Sequence, residues 1–353
     1  MMTIISHAPS IELAKSVSAV TFCASLIILA AVLMLRFLRN RRSHRETLFQ
    51  ESWKTLFAAT INGQLPPDIP AVAPVYAMPF YRLWTHFHES LRGDARERLC
   101  RLMYSAGGGK IALKWLHGFS VRKKLMAVVV LGYLKEKSTC RTMRQLVRKK
   151  NTLLSLVTAR ALLRIDPDAG LPFLMPLMVT RTDWSPEFIK NALKEIPQDA
   201  LVDVMGPAME KTSDSIIPRL IGYLEVCAYE KSVPIVRKLV QRKRSPEVIV
   251  ACLDFFRDPR DIAHVMKFAG HPAWTVRRSV AGALERFGTD TELDVLIGML
   301  ADPEWQVRYR AAQSLLKLPF ADNNRILAMK EEDTDPRIRA ILSQVLAEEA
   351  IRS

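Results

Sequence analysis

A 31-residue periodicity near the C-terminus constrains this chain more than any other feature. HPAWTVRRSVAGALERFG begins at His271 and DPEWQVRYRAAQSLLKL at Asp302. Between them Pro272 and Pro303, Trp274 and Trp305, Val276 and Val307, Arg277 and Arg308, and Ala281 and Ala312 all stand 31 residues apart. DPRIRAILSQVLAEEA, from Asp335, repeats the opening with Pro336, Ile338 and Arg339. A period of about 30 residues with two helical segments per unit is the mark of a solenoid, because no unit can bury its apolar face alone. From about Phe80 onward the apolar spacing is helical and Gly, Pro, Asp or short polar turns punctuate it, with no period-2 strand pattern. The expected fold is therefore all-α.

The recurring residues have physical roles. Asp or Ser before Pro offers an N-cap acceptor, and Pro suits a first helical position whose amide would lack a partner anyway. Small Ala281, Ala283, Ala311 and Ala312 allow close helix approach. Arg277 and Arg308, one per unit, are expected to pair with the acid of the adjacent unit, the alternative being an arginine ladder for phosphate. With Trp274 and Trp305 they are the candidate ladder or repeat-surface residues.

Asp302, Pro303, Val307, Arg308, Ala311, Ala312 and Leu315 make these units resemble HEAT repeats, of the short bacterial kind also found in phycocyanobilin-lyase-like proteins. His271 departs from the pattern by standing where Asp is usual. Weaker copies, SPEVIVACLDFF at Ser245 and SPEFIKNALKEI at Ser185, with helix pairs over 119–180 and 214–243, extend the resemblance towards Phe80. It implies an α-solenoid that binds extended or helical protein partners.

Val17 to Leu35 is a run of 19 residues without a charged side chain. At about 1.5 Å per residue it matches the hydrocarbon thickness of a bilayer. Arg36, Arg39, Arg41, Arg42 and Arg45 follow it, a stop-transfer pattern rather than a cleavage site. Only Lys15 precedes it as a cation, so the positive-inside rule places the N-terminus outside and the rest in the cytoplasm of a plasma or bacterial inner membrane. His44 to Ile61 reads as an amphipathic helix that lies on the membrane or packs on the first repeat, and Leu65 to Pro79 as a Pro-rich, semi-rigid spacer. The expected order is a tail over 1–16, a transmembrane helix over 17–38, a basic juxtamembrane helix and spacer over 39–79, and an α-solenoid of HEAT-type helix pairs over 80–353.

The formal charge of +15 is unevenly placed. Residues 92–164 carry 18 Lys and Arg against 3 acids, whereas residues 165–353 carry 25 against 28. The basic segment includes Arg122, Lys123, Lys124, Arg148, Lys149 and Lys150, which with Arg36, Arg39, Arg41, Arg42 and Arg45 are the candidates for contact with anionic lipid head groups or an acidic partner. A nucleic-acid array would spread its charge along the whole surface, so nucleic acid is the less favoured partner.

Other motifs argue against chemistry. The 5 cysteines form no CxxC or Cys/His cluster, and isolated cysteines behave as small buried hydrophobes. His86, His88 and Glu89 are the one tight His/acid group and read as a solvated helix face; the several His-Glu pairs of deoxyhypusine hydroxylase, a related helical-repeat enzyme, are missing. Gly107-Gly108-Gly109-Lys110 lacks the spacing of a phosphate loop, with Ile111 where Ser or Thr is required, and reads as an interhelix turn. A HEAT-like DNA glycosylase is the enzymatic alternative, with Trp184, Trp274, Trp305, Asp183 and Asp302 as its candidates; a bilin-lyase-like protein is another. The reading adopted is a membrane-anchored scaffold for a protein partner, with no catalytic residue, metal or cofactor.

Overall fold

The computed structural model describes residues 8–64, 68–242, 244–318, 326, 331 and 335–352, the side chains of 8–20, 23, 24, 35, 38–45, 350 and 352 excepted. Its regular elements are all helical among the described residues, and the chain divides into two compact units, residues 1–134 and 135–353.

The first unit opens with α1, Ala8–Ile61, one helix of 54 residues. No Gly or Pro interrupts the chain from Ser10 to Ile61, so nothing breaks the backbone ladder between the apolar run and the aromatic stripe beyond it. The two expected elements are thus halves of one helix. Gly63, at a φ of +83°, ends it in the left-handed conformation. In the N-terminal half Phe22, Ile27, Ile28, Leu33 and Phe37 are exposed. Among the described residues no helix is long and apolar enough to cross a membrane, so the anchor expected over 17–38 gains no support here. Residues 17–20, 23, 24 and 35 of that run have side chains outside the described set.

The C-terminal half of α1 packs on its own unit, which decides between the two placements expected for it. Trp53 and Phe57 are buried. Phe49 stacks on Tyr76, Trp53 meets Phe80 edge-on at 4.6 Å, and Phe57 meets Phe87 at 5.6 Å. Phe80 and Phe87 belong to α2, Ala77–Ser90, whose residue numbers rise along with those of α1, so the two helices run in the same direction. The chain returns between them through the Pro-rich segment, which is pinned rather than free: Val72 is 4% exposed and its amide donates to Ala106 O at 2.9 Å. Pro66 and Pro67 lie outside the described residues.

Three further helices complete the unit: α3, Asp94–Ser105; α4, Gly108–His117; and α5, Val121–Tyr133. Gly107 caps α4 at a φ of +74°, as the turn reading expected. At Gly108 a Cβ would sit 2.3 Å from Met103 Sδ, and Tyr81 donates to its carbonyl at 2.7 Å. Here the glycine run serves packing.

The second unit is a two-layer stack, the architecture of an α-solenoid. One layer holds α7 (Thr152–Ile165), α9 (Pro186–Leu193), α11 (Ile217–Leu224), α13 (Pro246–Phe255), α15 (Trp274–Phe287), α17 (Trp305–Lys317) and α18 (Pro336–Arg352), each against the next. The other holds α6 (Cys140–Leu146), α8 (Pro167–Thr180), α10 (Gln198–Lys211), α12 (Tyr229–Val240), α14 (Ile262–Met266) and α16 (Leu293–Met299). Ala281, Ala283, Ala311 and Ala312 of α15 and α17 are fully buried, and Ser314 Oγ donates across to Ala281 O at 2.9 Å. The Pro rule holds in part. Pro167 and Pro186 open α8 and α9 behind Asp166 and Ser185, whose side chains accept from amides 3 residues on. Pro272 and Pro303 do not open helices: α15 and α17 start at Trp274 and Trp305, with no side-chain N-cap. Asp302 lies in the turn and accepts from Glu304 N instead, as His271 accepts from Ala273 N one repeat earlier.

Truncating Trp53 should free the seam between α1 and α2. Trp53→Ala is expected to cost about 3–5 kcal/mol and to raise amide hydrogen exchange across residues 46–61 first, as read by exchange mass spectrometry on the full chain.

Candidate interaction surfaces

The recurring arginines are the first residues to place, because the sequence offers them for structure or for ligand. Arg277 donates from Nε and Nη2 to Asp302 at 2.7 and 2.9 Å, and from Nη1 to His271 O and Pro272 O. The pair is nearly buried, with side-chain exposures of 13% and 7%. Arg308 repeats the motif on its own turn, donating to Asp302 O and Pro303 O. Arg219 donates likewise to Arg181 O and Trp184 O, and Arg286 to Leu253 O and Phe256 O. A guanidinium that fills carbonyls left open at helix ends and turns joins one helix pair to the next. Arg277, Arg219 and Arg286 are joints between helix pairs, whereas Arg308 fills carbonyls of its own turn.

The aromatic and acidic residues offered for a glycosylase-like site are dispersed in the same way. Trp184 is buried, its Nε1 donating to Ser155 Oγ at 3.2 Å, and Ser155 in turn donates to Val147 O. Asp183 pairs with Arg181 at 2.6 Å and accepts from Thr152. Those two partners hold its carboxyl far below the usual carboxylate range. Trp274 is half-buried and Trp305 exposed, meeting the Tyr309 ring edge-on. His88, expected on a solvated face, is buried instead, between Trp84 at 4.8 Å and Tyr133 at 4.3 Å, while His86 is exposed. The misreading has a clear cause: residue 88 lies one turn after Trp84 on the face that α5 covers. Among the described residues no group of His, Cys, Asp and Glu could hold a metal ion. Burial pushes the Cys100 thiol up to about 11 and Cys252 up to about 12, so both are thiols at neutral pH.

Three open surfaces among the described residues bear on the candidates. The first lies in the second unit across α13, α15 and α17. It is a groove of about 300 Å³ lined by Asp254, Arg278, Ser279, Gly282, Arg286 and Arg310. Gly282 leaves the lane in which Arg310 lies, since a Cβ there would meet Arg310 Nε at 3.1 Å; Arg310 pairs with Glu285 at 2.8 Å. Desolvation by the surrounding helices raises the Asp254 carboxyl, against the lowering effect of Arg286, Ser279, Arg278 and Arg310. The sequence holds a trace of this groove: positions 278 and 310 follow the two recurring arginines by one and two residues. Only stacking shows that they converge.

The second surface is the flank of α6. Arg141, Arg144 and Arg148 are exposed, with Arg144 and Arg148 over the Phe173 ring at 5.2 and 5.1 Å. Lys149 and Lys150 are exposed just beyond.

The third belongs to the first unit. A cavity of about 530 Å³ is lined by Glu46, Val75, Met78, Arg82, Trp115, Arg122 and Lys123 among others, with Lys123 Nζ 5.4 Å from the Trp115 ring. Lys124 is half-buried and Arg36 exposed. Arg39, Arg41, Arg42 and Arg45 have side chains outside the described residues. Arg82 was not among the sequence candidates, because a lone cation in an aromatic helix gives no pattern.

Residues 247–316, from α13 through α17, match the HEAT repeats family, so the stretch holding the first groove carries HEAT repeats. No protein of curated function is significantly similar. An engineered protein of known crystal structure aligns over 86% of this chain and 96% of its own, at 14% identity and a TM-score of 0.31. Importin beta in an ammonium sulfate crystal form aligns over 88% of this chain and 53% of its own, at 13% identity and a TM-score of 0.38. The chain thus spans about half the length of that importin beta chain. Both likenesses are too slight to bear on fold or function.

The Arg277–Asp302 joint makes a testable case. Burial alone would raise the Asp302 carboxyl, but the Arg277 hydrogen bonds, the Glu304 amide and the nearby Arg308 charge outweigh it and hold it below the usual range. A depressed folded value stabilises the fold above the unfolded value of about 3.9, and that share is lost as pH falls through the folded value. Asp302→Ala, leaving Arg277 buried without its acid, should cost about 3–5 kcal/mol, and the Arg277→Met/Asp302→Ala double variant markedly less. Urea melts at neutral pH and in acid would check this: the loss in Asp302→Ala should shrink towards low pH.

Proposed function

We propose that the chain is a membrane-anchored scaffold whose HEAT-repeat stack holds a protein partner along the ridge formed by α13, α15 and α17. The observation that carries this reading is the groove on those helices. It is open to solvent, has charged side chains along its lining, and is set in the stretch that matches HEAT repeats. Arg278, Arg286 and Arg310 outnumber Asp254 and Glu285 there, so a partner segment bearing carboxylates suits it, with the small Gly282 and Ser279 admitting a backbone. The reading assigns no catalytic step: Asp302 and Trp184 are engaged between helices, through Arg277 and Ser155.

The anchor belongs to the proposal. Its supports are the uncharged run from Val17 to Leu35, the five arginines after it, and the exposure of Phe22, Ile27, Ile28, Leu33 and Phe37 around the helix rather than along one stripe. A helix apolar on all sides is buried or lipid-facing. Charge bias places the N-terminus outside and the stack in the cytoplasm.

Two measurements check the two halves. The full chain should remain in the membrane pellet after alkaline carbonate extraction, and release into the supernatant would refute the anchor. A photo-crosslinking residue at position 275, inside the groove, should yield adducts in native membranes that disappear when Arg278→Glu and Arg310→Glu are introduced together. Adducts unchanged by the reversal would refute the ridge as partner site.

A further inference from the structure

One end of the first unit combines exposed apolar side chains, cations and helix N-termini in a way the scaffold role does not require. Three helices run side by side in one direction. The stacked pair Phe49–Tyr76 and the edge-on pair Phe57–Phe87 set α2 along α1. Tyr133, at the end of α5, lies against Trp84 and His88 near the end of α2, while Lys123, at the start of α5, shares the cavity with Met78 and Val75 at the start of α2. The starts of α2 and α5 therefore lie level with each other. Glu46 and Gln50 of α1 line the same cavity, so this is the end from which α1 continues towards its apolar half.

The side chains at this end are unusual for a soluble surface. Phe119, in the turn before α5, is 102% exposed, Val75 65%, Leu48 58% and Val121 46%. Arg82, Arg122 and Lys123 line the cavity against the single acid Glu46, with the Trp115 ring and Met78 as its apolar wall. Ser120 caps α5, and the amides at the start of a helix favour an anion. The cavity starts about 16 Å along α1 from Leu35, and a phospholipid headgroup layer adds about 5–8 Å to each side of the hydrocarbon. Arginine and lysine side chains span much of the remainder.

We infer that this cavity binds the phosphate of an anionic phospholipid through Arg82, Arg122 and Lys123, with Phe119, Val121 and Val75 entering the interface beside it. The inference rests on the anchor reading for its orientation. Apolar side chains flanked by cations are what a lipid surface takes up, with attraction from the headgroups and burial of the rings just below them. An acidic protein would use the cations but would leave Phe119 without a reason to be fully exposed. The flank of α6 offers more cations but sets them on a half-buried Phe173 with no fully exposed ring beside them.

The test uses the full chain in nanodiscs, either of phosphatidylcholine alone or with phosphatidylglycerol added. A photo-reactive phenylalanine at position 119 should form lipid adducts, detected by mass spectrometry. Phosphatidylglycerol should be retained over phosphatidylcholine after transfer to detergent. Arg82→Gln/Arg122→Gln/Lys123→Gln should weaken that retention by about a hundredfold, each cation near an anionic surface counting for about fivefold. Arg141→Gln/Arg144→Gln/Arg148→Gln, an equal change of charge in the second unit, should leave it unaltered, and circular dichroism should show both variants folded. The inference is overturned by the absence of lipid adducts, by retention indifferent to headgroup charge, or by equal losses in both triple variants. It is also overturned if inorganic phosphate in excess displaces the lipid completely, which would make free phosphate the ligand. Carbonate extraction reports the anchor alone. If that reading fails, the adducts and headgroup preference still decide the cavity.

Discussion

The second unit depends on a constraint that acts between helix pairs rather than within them: each pair has an apolar face that only the next pair can cover. Ala281, Ala283, Ala311 and Ala312 bring α15 and α17 close enough for Ser314 to reach the backbone of α15. Close approach leaves turn carbonyls and helix ends enclosed, and enclosed carbonyls need donors. Arginine meets that need because a planar fork can serve a carboxylate and two carbonyls together, as Arg277 does with Asp302, His271 and Pro272. The packing and the polar joints are one solution. A stack close enough to exclude water from its turns requires the guanidinium groups that fill them.

This explains why the repeat was legible and the surface was not. Identity at fixed spacing reports residues under the same constraint in every unit, so the 31-residue register marked α15 and α17 and the alanines between them. Helix starts were legible where Ser or Asp directly caps, as at Ser185 and Asp166. They were misplaced at Asp302, because the same letter can serve a turn and a neighbouring arginine as well as it can serve an N-cap. The halves of α1 were each legible as apolar periodicity. Their continuity was legible only in the lack of Gly and Pro from Ser10 to Ile61, a negative signal that composition dilutes.

Long-range convergence escaped the sequence for a different reason. His88 is buried because Tyr133, 45 residues on, covers it, and no local pattern distinguishes it from exposed His86. The groove around Asp254 takes residues from three successive helices, so its members lie about one repeat apart while their side chains meet. The candidate arginines at 277 and 308 were drawn from the strongest repeat signal, and that signal reports packing. Residues that line the groove, exposed Arg278 among them, are not the ones that recur at the 31-residue spacing, and they carry a weaker imprint.

The same distinction accounts for the position of the basic excess. Over residues 165–353 cations and acids are nearly balanced, 25 against 28, and many serve one another across helices, as Lys190 does with Glu225 and Arg244 with Asp214. Such pairs add specificity of register and little net field. Residues 92–164 hold 18 cations and 3 acids, so most of their cations have no acid of the same segment to face. A group of like charges repels itself at some cost to the fold, and an oppositely charged surface relieves that repulsion. In the first unit Arg122 and Lys123, which line a cavity with the single acid Glu46, sit beside a fully exposed Phe119 and at the start of α5, where the backbone itself favours an anion. Charge, exposed ring and helix dipole act on the same few ångströms of surface, which is a stronger argument for a phosphate-bearing apolar interface than any one of them alone.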